Sequence, residues 1–219
     1  MEITQVSTDI TTAVTDYILC ACLLFMAVKL SSTAKNRSGA DNLKKMLWMS
    51  TFLSFGVAAL IGGSLKLMVL TEEQTASVNP FLFFAVATGV GCFALGAIHD
   101  KWGVKWSTRL VIPVLVGAYV CLSSKPAFLL FYLSAMLLSL VVYSVLAYKK
   151  ETGAAVMSLG VATVILAAVV RSQGPFEFEF IWQFNQGGVF HLMQLIGMFL
   201  LYISLVSSFK VPDQWAQNT

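Results

Sequence analysis

Charged residues are scarce in this chain. They make up 11% of the sequence, whereas soluble domains carry about 25%, and the mean hydropathy is +0.79. This deficit predicts a chain embedded in a lipid bilayer. Because a membrane span needs about 20 apolar residues, the 219 residues leave room for at most about seven or eight spans with short loops, and no stretch is long or polar enough for a separate soluble domain.

Histidine is nearly absent, with only His99 and His191 in the sequence. They fall at opposite predicted membrane faces, whereas a catalytic zinc usually has three protein ligands. We therefore expect no metal site and no haem held by two histidines. The four cysteines lie in apolar segments and are typical of small packing residues rather than of a disulfide framework.

Several cofactor and partner signatures are also missing. The sequence has no Gly-rich phosphate loop, nucleophile elbow or dinucleotide fingerprint, and no basic stripe that would indicate nucleic acid. A retinal Schiff base needs a lysine in the last span, which has none. We therefore expect no cofactor. The opening residues lack the basic region of a signal peptide, so the first apolar segment is expected to remain as a helix.

Long apolar segments are what the sequence does contain. They predict an all-α, polytopic membrane protein with seven transmembrane helices in a single domain, residues 1–219. Pro80 is expected to open the third span, and Pro113 to kink a short fourth span. The glycines of the third span make it thin, which favours a central position. The predicted spans are 13–30, 46–70, 80–98, 110–123, 127–148, 154–170 and 189–209.

Lysine and arginine are distributed unevenly between the predicted loops. They concentrate after spans one, three and five and at the C-terminal end, including Lys35 and Arg37 in the first loop. The positive-inside rule then places the N terminus outside and the C terminus inside. Trp102 and Trp106, interleaved with basic residues, predict an interfacial anchor on the cytoplasmic side. We expect a bacterial inner membrane protein.

The loop before the last span alternates phenylalanine and glutamate from Phe176 to Phe180. Strict alternation favours an extended segment with one apolar side. Two placements are open: the segment lies on the membrane surface with its phenylalanines down, or it folds over the bundle as a lid. Pro212 is expected to stop the last helix.

Polar residues in the predicted spans indicate a candidate site. His191 and Gln194 are three apart and share one helical face. Asp16, Lys66 and His191 fall at similar outer depth, and ionisable groups in hydrocarbon usually pair with one another and mark function. The candidate ligand-binding residues are Asp16, Ser64, Lys66, Asn185, His191 and Gln194.

Two interpretations of these residues remain open. In the first, an Asp16–Lys66 ion pair and a proton-exchanging or ligand-binding His191 line a pocket open to the outer face. In the second, Lys66 extends to the headgroups, Asp16 caps the first helix and His191 bonds a backbone carbonyl. The His99-Asp100 pair is interpreted as a cytoplasmic helix end, because adjacent residues do not share a helical face.

Several short motifs resemble those of a known family. They are FNQ at 184–186, FHLMQ at 190–194, LLY at 200–202, Thr15-Asp16 and Gly62-Gly63. In these motifs the sequence resembles an uncharacterised group of bacterial seven-helix membrane proteins and is distantly similar to the superfamily of alkaline ceramidases and progestin and adiponectin receptors. That superfamily holds a zinc with last-helix histidines for lipid-amide hydrolysis. Here only His191 matches the histidine pair, and span two offers Lys66 in place of a histidine. The resemblance thus implies a retained cavity without its zinc.

Three hypotheses for function follow. The first, which the sequence favours, is a protein that binds or passes a small molecule or lipid headgroup. The second is a metal-dependent hydrolase of lipid amides or esters, and the third is a structural or accessory subunit of a membrane complex. The expected partners are membrane lipids and a small-molecule ligand, and the sequence does not distinguish a homo-oligomer from a hetero-oligomer.

Overall fold

The computed structural model describes residues 3–33, 39–122, 124–179 and 181–210. The predictions for Lys35, Arg37, Phe180 and Pro212 therefore lie outside the described residues. Within these ranges the chain forms seven α-helices and one β-hairpin. They are α1 (Ser7–Thr33), α2 (Gly39–Leu67), α3 (Glu72–Trp102), α4 (Val104–Val120), α5 (Lys125–Tyr148), α6 (Ala154–Ser172), β1 (Glu177–Glu179), β2 (Gln183–Asn185) and α7 (Gln186–Lys210).

Six helices in the described part of the chain are long and apolar enough to cross a membrane: α1, α2, α3, α5, α6 and α7. The remaining helix, α4, has 17 residues, short of the roughly 20 that a span needs. The prediction of a nearly all-helical chain is confirmed, and the six helices indicate a membrane-embedded protein.

The helix α3 starts earlier than predicted. It begins at Glu72 rather than at Pro80, because Thr71 and Gln74 form a capping box that satisfies backbone N–H groups at the helix start. The Gln74 amide donates to Thr71 Oγ1 over 3.2 Å, and the Thr71 amide donates to Gln74 Oε1 over 3.0 Å. Pro80 therefore lies inside α3. The polar residues 72–79, which precede the predicted third span, form the first two turns of this helix.

The boundary between α3 and α4 also differs from the prediction. Gly103 has φ 81°, a conformation that glycine adopts without the steric cost a side chain imposes, and it separates the two helices. Lys105, Trp106 and Arg109 consequently lie in the first turns of α4, and not in a segment before it. The helix α4 begins at Val104, six residues before its predicted start at 110, and contains Pro113 as predicted.

The glycine-rich α3 is central, as its sequence predicts. It packs against α2, α4 and α5, and Gly96 lies close to the Trp48 indole, where a Cβ would come 3.0 Å from Nε1. Trp48 packs edge-on against Phe93 with ring centroids 5.1 Å apart. These contacts form the centre of one apolar core that involves α1, α2, α3, α5, α6 and α7.

The hairpin lies at one end of the bundle. Strands β1 and β2 are antiparallel, with Phe178 opposite Phe184 and their rings stacked at 5.6 Å. Strand β2 contacts α1 and α7, whereas the predicted extended segment forms β1, which is exposed along its length and pairs with β2. We call the end that carries the hairpin and Lys66 the hairpin end, and the end that carries Lys44 and Asp100 the opposite end.

Candidate functional site

A histidine–carboxylate pair joins α7 to α1 beneath the hairpin. His191 Nε2 lies 3.1 Å from Asp16 Oδ1, and the two side chains are 7% and 4% exposed. The other ring nitrogen, Nδ1, lies 3.4 Å from Thr15 Oγ1. The structure therefore brings together two of the predicted site residues, in a place that water hardly reaches.

Threonines extend this polar region along α1. Thr8, Thr12 and Thr15 are buried, and their spacing of four and three places them on one helical face. Asp16 follows Thr12 by four residues and borders this face. Two of the threonine hydroxyls donate hydrogen bonds to backbone carbonyls within the helix. Thr12 Oγ1 donates to the Thr8 carbonyl over 2.8 Å, and Thr15 Oγ1 donates to the Thr12 carbonyl over 2.8 Å. The face is thus a continuous polar stripe directed at α7.

Glycines on α2 provide the space for the Asp16 side chain. A Cβ at Gly63 would lie 3.0 Å from Asp16 Cβ and 3.2 Å from the Ala13 carbonyl, and a Cβ at Gly62 would lie 3.3 Å from Asp16 Oδ2. The helices α1 and α2 approach closely here, because small residues at a helix interface let two backbones come together. Asp16 is consequently enclosed by α2 on one side and α7 on the other.

Asn185 holds the start of α7 in place. Its side-chain oxygen accepts from the amides of Gly187 and Gly188 over 2.9 and 3.1 Å, which is N-capping geometry. The same oxygen lies 2.8 Å from Thr12 Oγ1. Asn185 therefore positions His191, which lies in the second turn of α7, and ties that helix to α1.

Lys66 pairs with Asp9 and not with Asp16, so the ion pair in the first of the two sequence-based interpretations does not form. Lys66 Nζ lies 3.1 Å from Asp9 Oδ1, and the two side chains are 47% and 30% exposed. Lys66 is one turn beyond Gly62 and Gly63 on α2, so its ammonium group can stay near water at the helix end. Asp16 instead faces α7 and meets His191.

The two remaining candidates lie around this pair without bonding to it. Ser64 Oγ is 2.8 Å from the Leu60 carbonyl and 3.3 Å from the Tyr17 hydroxyl, at a partly exposed position on α2. Gln194 is buried and lies three residues after His191 on α7.

Cationic side chains surround the pair at the hairpin end. The Arg171 guanidinium lies 5.0 Å from the Phe190 ring centroid, and the Phe190 ring lies 5.0 Å from that of His191. On α2, Lys66 lies three residues beyond Gly63, which packs against Asp16. The site therefore combines a buried proton-sharing pair with partly exposed positive charge.

The arrangement can hold a proton between Asp16 and His191, because one of the two atoms 3.1 Å apart must donate for a hydrogen bond to form. It is a poor metal site. In the described ranges no three or more His, Cys, Asp or Glu side chains are grouped so that they could hold a metal ion.

A second buried polar cluster occupies the opposite end. Asp100 Oδ1 lies 2.8 Å from Lys44 Nζ, and Asp100 Oδ2 accepts from the Tyr143 hydroxyl over 3.0 Å. His99 Nδ1 is 3.8 Å from Asp100 Oδ1, too far for a hydrogen bond. His99 and Asp100 lie in the last turns of α3, as their interpretation as a helix end predicts, and Asp100 there joins α3 to Lys44 of α2 and Tyr143 of α5.

Sequence reasoning missed several of these residues. The threonine stripe could have been found from the sequence, since the spacing of Thr8, Thr12 and Thr15 fits one helical face. The Lys66–Asp9 pair and the Lys44–Asp100–Tyr143 cluster each join residues far apart in the sequence. Without knowing which helices are neighbours, no spacing rule brings these partners together.

The chain belongs to a family of unknown function, DUF6962, whose model matches residues 11–208. The match covers both polar clusters from Asp16 to His191. No curated protein and no solved structure matches the chain.

Proposed function

We propose that this member of the DUF6962 family binds a small zwitterionic molecule or a zwitterionic lipid headgroup at the hairpin end. The observation that carries the proposal is the buried His191–Asp16 pair, 3.1 Å apart, with partly exposed cationic groups around it. Ionisable groups inside a membrane protein are costly and are functional by default. Asp16 supplies an acceptor for an amine, while Lys66 and Arg171 supply positive charge for a phosphate or carboxylate.

The proposal includes an orientation. Basic residues are more numerous at the opposite end, and the positive-inside rule would place that end in the cytoplasm and the ligand site outside. The hairpin would then act as a lid, because β2 contacts α1 and α7. Ser7 on α1 hydrogen bonds to Gln183 on β2, so opening the lid means breaking this contact. We place the protein in a bacterial inner membrane as a seven-helix bundle in which α4 inserts partially.

Thermal unfolding with added compounds tests the proposal. We would measure the unfolding midpoint of the purified protein with short-chain phosphatidylethanolamine, phosphatidylcholine and small zwitterions such as betaine. At least one should raise the midpoint of the unmodified chain, and Asp16→Asn and His191→Gln should lose that rise. His99→Gln, which changes the other histidine at the opposite end, is the matched control and should keep it.

Two results would contradict this function. One is that no zwitterion raises the midpoint of the unmodified chain. The other is that His191→Gln responds as strongly as His99→Gln does, which would separate binding from the His191–Asp16 pair.

The zinc-dependent hydrolase suggested by the resemblance to alkaline ceramidases is the alternative. The convergence of His191 and Asp16 supports it, since a histidine and an acid are typical zinc ligands. The residues nevertheless do not fit a zinc site: His99 lies at the opposite end, and the described part of the chain offers no group of three ligands. We therefore derive no hydrolytic step.

A further inference from the structure

We propose a second lipid site at the opposite end, independent of the His191–Asp16 pair: a groove between α3, α4 and α5 that binds an anionic phospholipid. The groove has a volume of about 350 Å³, within the range of roughly 300–1,000 Å³ found for ligand pockets. It is lined by Ile98, Trp102, Trp106, Leu110 and Leu138.

The groove exists because α4 packs mainly against α3 and only weakly against α5. Phe131 of α5 packs against Gly117 of α4, but nearer the N-terminal end of α4 a groove remains. Its walls are aliphatic and aromatic side chains. Such a surface suits an acyl chain, since the indole N–H groups are the only polar side-chain atoms of its lining residues.

Positive charge lies at the rim of the groove. The Arg109 guanidinium is 5.8 Å from the Trp106 ring centroid, and Arg109 and Lys105 are both exposed on α4. Tryptophan prefers the level of the headgroups, and Trp102 and Trp106 are 49% and 50% exposed. A phospholipid with one acyl chain in the groove would therefore have its phosphate beside Arg109 and Lys105.

This charge selects the lipid class. A zwitterionic lipid brings its own ammonium group to a surface that already carries two cations, whereas phosphatidylglycerol brings only negative charge. Basic side chains near the membrane surface attract anionic lipids. We therefore assign the groove to an anionic phospholipid rather than to a zwitterionic one or to a second copy of the chain.

Fluorescence quenching in bilayers tests the assignment. The protein, with Trp182 and Trp215 replaced by Phe, is placed in phosphatidylcholine vesicles that contain increasing amounts of acyl-brominated phosphatidylglycerol or acyl-brominated phosphatidylcholine. Bromine quenches Trp102 and Trp106 when a chain enters the groove, whereas Trp48 is fully buried in the core. Half-maximal quenching should need roughly five-fold to thirty-fold less phosphatidylglycerol than phosphatidylcholine, the range expected when one or both of the two basic residues act on the lipid.

Matched variants complete the test. Lys105→Gln with Arg109→Gln should remove the preference for phosphatidylglycerol, while Lys149→Gln with Lys150→Gln, two exposed lysines at the same end, should keep it. Leu138→Phe, which fills the groove, should reduce quenching by both lipids, whereas Leu130→Phe should not. Equal quenching by the two lipids in the parent chain would overturn the proposal. Loss of the preference in the Lys149/Lys150 variant would also overturn it. So would quenching that falls as protein is added at constant lipid composition, because a second copy of the chain would then be covering the groove.

Discussion

Asp16 and His191 each supply the polar contact that the other would otherwise take from water. Both side chains are at least nine-tenths buried, and a buried polar group without a partner costs more than its hydrogen bond contributes. The pair therefore behaves as one unit, and its two members should respond to substitution together.

A double-mutant cycle measures this dependence. Asp16→Ala and His191→Ala should each lower the free energy of unfolding by about 1–3 kcal/mol, because each leaves a buried polar group unpaired. The double variant should lose less than the sum, by about 0.5–3 kcal/mol. The measurement is denaturant unfolding in detergent. Combining His191→Ala with Tyr148→Phe, at the opposite end, provides a control that should be additive.

The Lys44–Asp100–Tyr143 cluster gives a second prediction for single residues. Tyr143→Phe removes the hydroxyl that donates to Asp100 over 3.0 Å, and we expect a loss of about 1 kcal/mol in unfolding free energy. Tyr148 is 89% exposed, so Tyr148→Phe is the matched control and should leave stability unchanged. Equal stability of the two variants would show that the Tyr143 hydroxyl contributes nothing.

At the scale of helices, the start of α7 and the approach of α2 to α1 hold the site in place. The Asn185 side chain connects the first turn of α7 to Thr12, and Gly63 allows α2 to approach α1 beside Asp16. Neither residue contributes an ionisable group. Both nevertheless determine the distance between Asp16 and His191.

Removing the cap should loosen the start of α7. Asn185→Ala loses the side-chain oxygen that accepts from two helix amides, and we expect a cost of about 0.5–2 kcal/mol. Hydrogen exchange should speed up at Gly187 and Gly188 and in β2, while α3 stays protected. Asn185→Asp restores an N-cap acceptor and should retain most of the protection, whereas uniform loss of protection along the chain would contradict a local role.

Adding a methyl group at Gly63 should push α1 and α2 apart. The new Cβ in Gly63→Ala would lie 3.0 Å from Asp16 Cβ, and overpacking of this kind costs about 1–3 kcal/mol. Gly39→Ala is the control, because a Cβ there meets nothing within 4 Å. Thermal unfolding should separate the two variants. If Gly63→Ala were as stable as Gly39→Ala, the close approach would not be required.

For the whole molecule, helical character and the central place of α3 were predictable from apolar runs and glycine positions. Helix boundaries were harder to predict. The helix α3 begins at a capping box in a polar segment, and a search for apolar runs does not detect polar helical turns. The candidate site was predicted in part. His191, Asp16 and Asn185 converge, but Lys66 meets Asp9 because the direction of Asp16 depends on where α7 packs, which sequence spacing does not reveal.

The most direct test of the central claim is the nitrogen NMR spectrum of His191. The chain has two histidines, so a ¹⁵N-histidine sample with His99→Gln isolates the signals of His191. We predict that Asp16→Asn shifts the Nε2 resonance, and that a zwitterion which raises the unfolding midpoint shifts the same resonance. A His191 spectrum unchanged by both would contradict the account.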